Sequence, residues 1–340
     1  MAKKTLNANL RKAAASKQDE FYTQLSDIEK ELRHYTKHFK GKVVYCNCDD
    51  PWVSNFFHYF SYNFKKLGLK KLITTCYKSQ KRDLFSRNDS EQAIYLEYNG
   101  DNHEGSVPDP KNIGIKHLEG DGDFRSTESV DLLRQADIVV TNPPFSLFRE
   151  YVAQLIEHDK KFIIIGNKNA ITYKPIFSLI IANKLWPGNT PMGTDMTFGV
   201  SEELAKELVN TKKHGSAYRM VGGVVMARAQ ACWFTNLDIS KRHENLITFR
   251  EYSRKAYPKY DNYNAINVNR TEDIPADYAG AIGVPISFLD KYNPEQFEIV
   301  DGLNRYSILH GPTEKTRGKY LAQVNGKPTY VRVVIKRKKL

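Results

Sequence analysis

An apolar run at residues 138–140 is followed almost at once by two consecutive prolines, Pro143 and Pro144. The run predicts a buried strand. The prolines predict its end, because neither can donate a backbone hydrogen bond and each fixes its own φ. Asn142 is restricted as well, since a residue before proline is pushed towards extended geometry. The chain must therefore leave a sheet here in a stiff loop, at the edge where open α/β sheets bind their ligands.

The loop at residues 142–145 combines hydrogen-bond acceptors with an aromatic ring. The side-chain oxygen of Asn142 and the carbonyl oxygen of Pro143 can accept both hydrogens of an amino group on a planar ring, and Phe145 can stack on that ring. Acceptors in fixed positions help such a nitrogen to attack, because they localise its lone pair. This pattern predicts transfer chemistry on a planar amine without a metal. The alternative is a proline-rich turn that closes a strand.

Strand and helix patterns alternate from residue 42 to residue 185. Apolar strand patterns at 42–48, 70–77 and 162–166 are separated by segments with helical spacing. Alternation of this kind implies right-handed crossovers, so we predict an α/β fold with a doubly wound, mostly parallel, Rossmann-like sheet. Further along the chain, we predict that residues 197–200 and 231–236 pair as a hairpin.

Two more polar turns follow predicted strands and should lie at the same edge of the sheet. They are Asp49-Asp50-Pro51 and Asp121-Gly122-Asp123-Phe124. A nucleotide-binding fold usually has a glycine-rich turn after its first strand, which lets the backbone approach the ligand. No glycine lies between Asp49 and Phe57, so a ligand must be held in another way. The alternative for each aspartate is a turn-forming or helix-capping role.

The chain of 340 residues carries a net charge of +12, which favours a polyanionic partner. Basic residues interleave with tyrosines at 250–263, where rings and guanidinium groups could read nucleic acid; alternatively, these tyrosines pack in a small domain. No apolar run is long enough to span a membrane and no leader pattern is visible, so we expect a cytoplasmic protein. The cysteines form no CxxC pair or His-Cys cluster, so we predict no metal site.

The three turns together resemble the S-adenosylmethionine-dependent amino-methyltransferases of DNA. Their Asp/Asn/Ser-Pro-Pro-aromatic motif is matched by residues 142–145, and the start of their Asp-Pro-aromatic motif by residues 50–52, although residues 53–55 lack the glycines that follow it. Residues 21–24, Phe-Tyr-Thr-Gln, match three positions of their Phe-Tyr-Thr-Pro motif. Over residues 17–300, the chain resembles the EcoRI adenine-specific DNA methyltransferase family, chiefly in the segments 17–51, 120–126, 137–150 and 283–297.

This resemblance implies a class I methyltransferase fold and a site for S-adenosyl-L-methionine. The residues implied as cofactor-binding are Phe21, Tyr22, Thr23, Asn47, Asp49, Asp50, Pro51, Ser54, Asp121, Asp123 and Phe124. The residues implied as catalytic are Asn142, Pro143, Pro144 and Phe145, which would bind and stack on a flipped adenine. The resemblance also implies a cofactor-binding catalytic domain at 1–237, with a basic insert at 201–230, and a target-recognition region at 238–340.

The implied reaction is site-specific transfer of a methyl group to N6 of adenine in double-stranded DNA. The base must leave the stack, because N6 within a base pair is not accessible to in-line attack. We expect a restriction-modification or orphan modification enzyme that is a monomer with no obligate protein partner. Alternatives are N4 of cytosine, adenine in RNA, a glutamine amide in a protein, and a DNA-binding homologue without catalysis. An enzyme that acts on protein glutamine would not need the net charge of +12. The absence of GxGxxG after the first strand counts against an NAD-type oxidoreductase.

Overall fold

A computed structural model describes residues 22–77, 93–100, 107–304, 307–311 and 322–338. The chain divides into two compact units. The first comprises Met1–Asn167 and Thr194–Leu237, and the second comprises Lys168–Gly193 and Asp238–Leu340. The domain boundary that the sequence predicts between residues 237 and 238 is also a boundary between these two units. Residues 168–193, however, lie in the second unit and not with the rest of segment 1–237.

Packing explains why residues 168–193 fold with the second unit. The helix Lys174–Ile181 carries Phe177, which is fully buried. Its ring lies so close to Gly302 that a Cβ there would be 2.7 Å from the ring Cζ atom. The apolar face of this helix therefore packs on the strand Phe297–Leu303, which belongs to the same unit.

Strands and helices alternate through the first half of the chain. The described strands are β1 (Tyr22–Thr23), β2 (Val43–Cys46), β3 (Lys71–Cys76), β4 (Ile94–Tyr98), β5 (Ile115–His117), β6 (Ile138–Thr141), β7 (Lys161–Asn167), β8 (Trp186–Pro187), β9 (Met196–Gly199), β10 (Tyr218–Val221), β11 (Val224–Ala229), β12 (Ala231–Thr235), β13 (Ile266–Asn267), β14 (Ile282–Pro285), β15 (Phe297–Leu303), β16 (Gln323–Val324), β17 (Lys327–Pro328) and β18 (Arg332–Arg337). The described α-helices are α1 (Leu25–Leu32), α2 (Thr36–Phe39), α3 (Asn55–Tyr62), α4 (Phe64–Leu67), α5 (Pro110–Ile113), α6 (Thr127–Gln135), α7 (Phe148–Glu157), α8 (Lys174–Ile181) and α9 (Glu202–Thr211). None of the described helices is long and apolar enough to cross a membrane.

The central sheet of the first unit confirms the predicted α/β class. Its strands lie in the order β5-β4-β3-β2-β6-β7-β12. The strands β3, β2, β6 and β7 are parallel, and antiparallel strands flank them on both sides. Every residue of β2 and β6 is buried, as expected for parallel strands covered on both faces. Because β2 and β6 are neighbours, the turns that follow them meet at one edge of the sheet.

The predicted hairpin between residues 197–200 and 231–236 is wrong. β12 joins the central sheet, where it runs antiparallel to β7 and pairs Trp233 with Ile165. β9 lies in a smaller antiparallel sheet of order β1-β9-β11-β10. The apolar pattern located both strands but not their partners, because alternation reports which face is buried and not which strand lies alongside.

The second unit is built on a sheet of order β13-β14-β18-β15. Tyr257 and Tyr260, two of the tyrosines that interleave with basic residues, are buried in this unit. The Tyr260 hydroxyl donates to Asn267 Oδ1 at 2.8 Å, and that of Tyr257 donates to the carbonyl of Asp273 at 2.9 Å. Buried rings with bonded hydroxyls are core residues. At these two positions, therefore, the tyrosines pack in the domain core, which was the alternative to reading nucleic acid.

Candidate active site

The loop after β6 is held rigidly, as its two prolines predict. Pro143 is buried, whereas Asn142 and Phe145 are partly exposed. The chain then passes through a short 3-10 turn into α7, whose first residue, Phe148, is buried against Gly166 of β7. A Cβ at Gly166 would overlap the ring of Phe148, so glycine is needed for this approach. The loop is thus anchored on both sides, while Asn142 and Phe145 stay partly exposed.

Asp49 connects the turn after β2 to the strand that carries this loop. The hydroxyl of Thr141, the last residue of β6, donates to Asp49 Oδ2 at 2.5 Å, and that of Ser54 donates to Oδ1 at 2.8 Å. Burial raises the pKa of the Asp49 carboxyl to about 7, although the two hydroxyl donors act against this rise. Buried acids with strongly raised pKa values are common at functional sites.

Asp50 has one carboxylate oxygen left for a ligand. Its Oδ1 accepts a hydrogen bond from the backbone N–H of Trp52 at 2.9 Å. Its Oδ2 is buried, and no described residue donates to it. Burial raises the pKa of this carboxyl as well. Since a buried carboxylate oxygen without a donor is costly, Asp50 is placed to receive a cationic or hydrogen-bond-donating group.

Ser54 supports Asp49 and the start of α3 at the same time. Its hydroxyl oxygen accepts hydrogen bonds from the N–H groups of Phe56 at 3.1 Å and Phe57 at 3.4 Å, so it is the N-cap of this helix. The same hydroxyl donates to Asp49. A hydroxyl has one donor and two acceptor positions, all of which are used here, so Ser54 positions Asp49. Pro51, in the turn before it, is buried.

The backbone at Cys48 shows how this turn forms without glycine. Cys48 adopts a φ of 69°, in the left-handed region that glycine normally occupies. Hydrogen bonds hold the next residue on both sides: Asp49 N–H donates to the Thr75 carbonyl at 2.8 Å, and the Thr74 hydroxyl donates to the Asp49 carbonyl at 2.6 Å. Asn47, the residue before Cys48, is buried, and its side-chain oxygen accepts a hydrogen bond from the Thr75 hydroxyl at 3.3 Å.

Gly122 brings the third polar turn to the same edge of the sheet. It has a φ of +76°, and a Cβ there would lie 2.7 Å from the carbonyl oxygen of Cys76, at the end of β3. The turn can therefore press against the strand end only with glycine at this position. Within the turn, Asp121 Oδ1 accepts a hydrogen bond from the N–H of Asp123 at 3.0 Å, which is a turn-forming role.

Arg125 engages both Asp123 and Phe124. Its guanidinium donates to the two oxygens of Asp123, with 2.7 Å to Oδ2, and this bond holds the pKa of Asp123 below its usual value. The guanidinium carbon also lies 5.2 Å from the centre of the Phe124 ring. That ring is buried and makes an edge-to-face contact with Tyr151, with 5.0 Å between centres. A ligand that used Asp123 or Phe124 would have to share them with Arg125.

The segment Tyr22–Thr23 reaches the site as β1. Thr23 pairs with Phe198 of β9, and Asn55 Nδ2 donates to the Thr23 carbonyl at 2.8 Å. The Thr23 hydroxyl is buried, and no described residue bonds to it. Phe198 sets its ring 6.4 Å from that of Phe145 in an edge-to-face arrangement. The small sheet therefore links this segment directly to the loop after β6.

The structure brings most of the predicted site residues to one edge of the first unit. Those residues are Thr23, Asn47, Asp49, Asp50, Pro51, Ser54, Asp121, Asp123, Phe124, Asn142, Pro143, Pro144 and Phe145. Phe21 lies outside the described residues. The sequence reasoning missed Thr141, Phe198 and Asn55, of which Thr141 carried a signal, as a polar residue that ends an apolar strand. In the part of the chain that the structure describes, no group of three or more His, Cys, Asp or Glu is placed to bind a metal.

Comparison with known proteins identifies the family. The chain matches the family described as "Adenine-specific methyltransferase EcoRI" over residues 9–338. It is 49% identical over 344 positions to the type II methyltransferase M.EcoRI of Escherichia coli, covering 100% of this chain and 99% of that protein. It is 39% identical to the type II methyltransferase M.MgeORF184P of Mycoplasma genitalium, over 97% and 98% of the two chains, and 38% identical to M.MpnI of Mycoplasma pneumoniae, over 96% and 97%. No solved structure matches the chain. The predicted family is thus confirmed, and the chain belongs to the EcoRI family of adenine-specific methyltransferases.

Proposed function

We propose that this methyltransferase transfers the methyl group of S-adenosyl-L-methionine to N6 of adenine in double-stranded DNA. The observation that carries the proposal is the partly exposed pair Asn142 and Phe145, at the sheet edge where the buried carboxyls of Asp49 and Asp50 also lie. An amide oxygen and a flat ring suit a planar amine, and buried acids suit a cationic cofactor. The net charge of +12 supports a polyanionic substrate.

The residues of this edge fit the amino-acid end of the cofactor. S-adenosyl-L-methionine carries an ammonium, a carboxylate and a sulfonium, and it supplies an electrophilic methyl group when bound. Asp50 Oδ2 suits the ammonium and the Thr23 hydroxyl suits the carboxylate, since both atoms are buried without a partner among the described residues. Asp49 is less suited to direct contact, because Thr141 and Ser54 already donate to its two oxygens.

The loop after β6 would hold the target amine for attack. Asn142 Oδ1 and the Pro143 carbonyl accept the two N6 hydrogens, which draws the nitrogen lone pair out of conjugation and aims it along the line of transfer. Phe145 stacks on the adenine, and the edge contact with Phe198 fixes the orientation of its ring. Pro144 keeps the loop stiff. The adenine reaches this edge after it leaves the helix, because N6 is otherwise in a base pair.

A methylation assay on genomic DNA tests the proposal. Purified protein is incubated with DNA and labelled S-adenosyl-L-methionine, the DNA is digested to nucleosides, and the methylated base is identified. N6-methyladenine is the expected product, and sequencing of the same DNA gives the site. N4-methylcytosine would support the proposed transfer chemistry but would show that the target base is cytosine and not adenine. Label in RNA and not in DNA would overturn the substrate, and binding without any transfer would favour a silent homologue.

We also propose that residues 238–340 and the insert 201–230 contact the DNA, and that the enzyme acts as a monomer without an obligate protein partner. Lys206, Lys212 and Lys213 of the insert are exposed, as phosphate contacts require. Sedimentation of the protein with and without a DNA duplex measures the stoichiometry. One protein per duplex is expected, and two would contradict the monomer.

Asp50→Asn should weaken cofactor binding by about 10- to 100-fold, because it removes the charge that faces the ammonium. Asparagine keeps an oxygen that can accept from the Trp52 N–H, so the turn is retained. Isothermal titration with S-adenosyl-L-methionine measures the effect. Asp131→Asn, at an exposed position on α6, removes the same charge elsewhere and should bind like the wild type. Equal affinities of Asp50→Asn and the wild type would refute the role assigned to Asp50.

A further inference from the structure

The strands β2 and β6 stop pairing before they reach the candidate site. Their register ends at the pair Tyr45 and Val139, whereas Asp49 and Asn142 lie further along the two chains. The strand order also reverses here, because β3 lies on one side of β2 and β6 on the other. Open α/β sheets bind ligands in the crevice that such a reversal creates. The pairing of β2 with β6 therefore does not extend to the residues that line this crevice.

Each side of the crevice is fixed to the strand on its outer side. The turn after β2 is held against β3, because the Asp49 N–H donates to the Thr75 carbonyl at 2.8 Å. The Thr74 hydroxyl donates to the Asp49 carbonyl at 2.6 Å and strengthens the same attachment. On the other side, Thr141 pairs with Ile164 in the ladder between β6 and β7. The two sides of the crevice are thus supported by different strands.

The side chain of Thr141 crosses from one side of the crevice to the other. Its hydroxyl donates to Asp49 Oδ2 at 2.5 Å and also contacts the carbonyl oxygen of Asn47. All three residues are buried, and a hydrogen bond is stronger where water does not compete for it. The hydroxyl therefore holds two oxygens of the turn after β2 at a fixed distance from the end of β6.

The residues that follow Thr141 and Asp49 are the ones that the proposed function uses. Thr141 precedes Asn142, which would accept from the target amine, and Asp49 precedes Asp50, which would accept from the ammonium of the cofactor. The bond between Thr141 and Asp49 thus lies one residue away from each of the two binding groups. Transfer between bound reactants needs the reacting atoms about 3 to 3.5 Å apart and aligned, and a displacement of about 1 Å can cost about 100-fold in rate.

We propose that Thr141 is a positioning residue, which sets the distance across the crevice between the cofactor and the target amine. Its side chain is buried and its hydroxyl is already bonded, so it acts through Asn142 and Asp49 and not by touching a substrate. Each substrate is bound by groups on its own side of the crevice, so the bond matters for the rate of transfer and not for either affinity. The inference rests on the proposed function, since it requires both substrates at this edge of the sheet.

Thr141→Val tests the positioning role. Valine has the same branched shape and suits a strand, but it places a methyl group where two buried oxygens need a donor, so the turn and the strand end move apart. The single-turnover rate at saturating DNA and S-adenosyl-L-methionine should fall about 10- to 100-fold. The affinities for DNA and for S-adenosyl-L-methionine, each measured by titration, should change by less than about 3-fold, because the bond acts on the transition state.

Two companion variants separate positioning from a general loss of stability. Thr141→Ser keeps the hydroxyl and should stay within about 3-fold of the wild-type rate. Thr235→Val is the matched control, because Thr235 is the fully buried last residue of β12 and its hydroxyl donates to the Phe162 carbonyl at 2.7 Å. Since β12 runs antiparallel to β7, Thr235 lies at the opposite end of the sheet from the site. Its valine variant should lower Tm through the same loss of a buried bond but should methylate at the wild-type rate.

A double variant shows whether Thr141 acts through Asn142. Without the amide at position 142 there is little left for Thr141 to position, so Thr141→Val should slow Asn142→Ala far less than it slows the wild type. Two losses that simply multiply would overturn the role. Thr141→Cys repeats the measurements with a small apolar side chain whose S–H is a weak donor, and it takes the place of the valine variant if that protein does not fold.

The failure of the positioning role can be distinguished from the failure of the proposed function. A wild-type protein that methylates no adenine in duplex DNA overturns both. An active wild type whose Thr141→Val variant is equally fast overturns the positioning role alone. So does a loss of cofactor affinity as large as the loss of rate, which would make Thr141 a support for cofactor binding. An equal loss of rate in Thr235→Val would attribute the effect to stability and would overturn the role as well.

Discussion

Asn142→Ala is expected to lower the rate of methyl transfer by about 10³-fold or more, because it removes the acceptor that we propose acts on the reacting nitrogen. DNA affinity should change by less than about 3-fold, since phosphate contacts dominate affinity and the residues that we propose for them lie elsewhere. The fold should tolerate the change, because Asn142 is partly exposed and the loop is held by Pro143 and Phe148. Loss of activity without loss of binding is therefore the signature of its role.

Single-turnover methylation and a DNA-binding titration, made on the same preparation, measure the two effects of Asn142→Ala. Asn142→Asp is the informative companion, because it keeps an acceptor oxygen at the same place and should retain more activity than alanine. Asn112→Ala, at an exposed position on α5, controls for loss of an amide from the surface. If DNA binding fell as far as the rate, Asn142 would be a residue that maintains the loop and not one that acts on the amine.

The sequence predicts the loop after β6 because the constraints there are local. Two prolines fix φ whatever surrounds them, so the end of the strand and the position of Asn142 follow from residues 138–145 alone. The N-cap at Ser126 is predictable for the same reason. Its side chain accepts a hydrogen bond from the N–H of Ser129, and α6 begins at Thr127. Features of this kind need no knowledge of the rest of the chain.

The contacts that complete the site join distant residues and could not be predicted. The bond from Thr141 to Asp49 links positions 92 residues apart. The contact of Phe198 with Phe145 depends on β9 lying beside β1, whereas the sequence pattern suggested a hairpin with residues 231–236. The left-handed turn at Cys48 had no local signal either, because a residue other than glycine adopts it when hydrogen bonds to the strand alongside hold the chain.

Asp49→Asn is expected to change how the free energy of unfolding depends on pH. The pKa of Asp49 is about 7 in the folded protein and 3.8 in its ordinary state, so the folded chain keeps a proton that the unfolded chain has lost. The contribution of the protonated carboxyl is complete below pH 3.8 and is lost as the pH rises to about 7. Over this interval the wild type loses about 4 kcal/mol of its free energy of unfolding. The asparagine variant has no carboxyl to titrate and does not lose it.

Chemical denaturation of the ligand-free proteins at pH 5 and pH 8 measures this effect. The stability of Asp49→Asn relative to the wild type should rise by about 2 to 3 kcal/mol between the two pH values. Comparing two pH values cancels the cost of the substitution itself, including any weakening of the bonds from Ser54 and Thr141. Asp131→Asn serves as the control for one lost charge. A relative stability that is the same at both pH values would show that Asp49 ionises normally in the fold.

Repeating the denaturation in the presence of S-adenosyl-L-methionine tests whether the cofactor offsets the stability that the buried carboxyl of Asp49 costs the fold. A cationic ligand next to Asp49 and Asp50 favours the ionised carboxylate, because opposite charges attract strongly where water is excluded. The cofactor should therefore stabilise the wild type more at pH 8 than at pH 5, and Asp49→Asn should show less of this difference. If the cofactor shifted both proteins equally at both pH values, Asp49 would be an acid buried for the turn alone. If the stabilisation by the cofactor instead differed between the two proteins and depended on pH, cofactor binding would offset the desolvation of the Asp49 carboxylate.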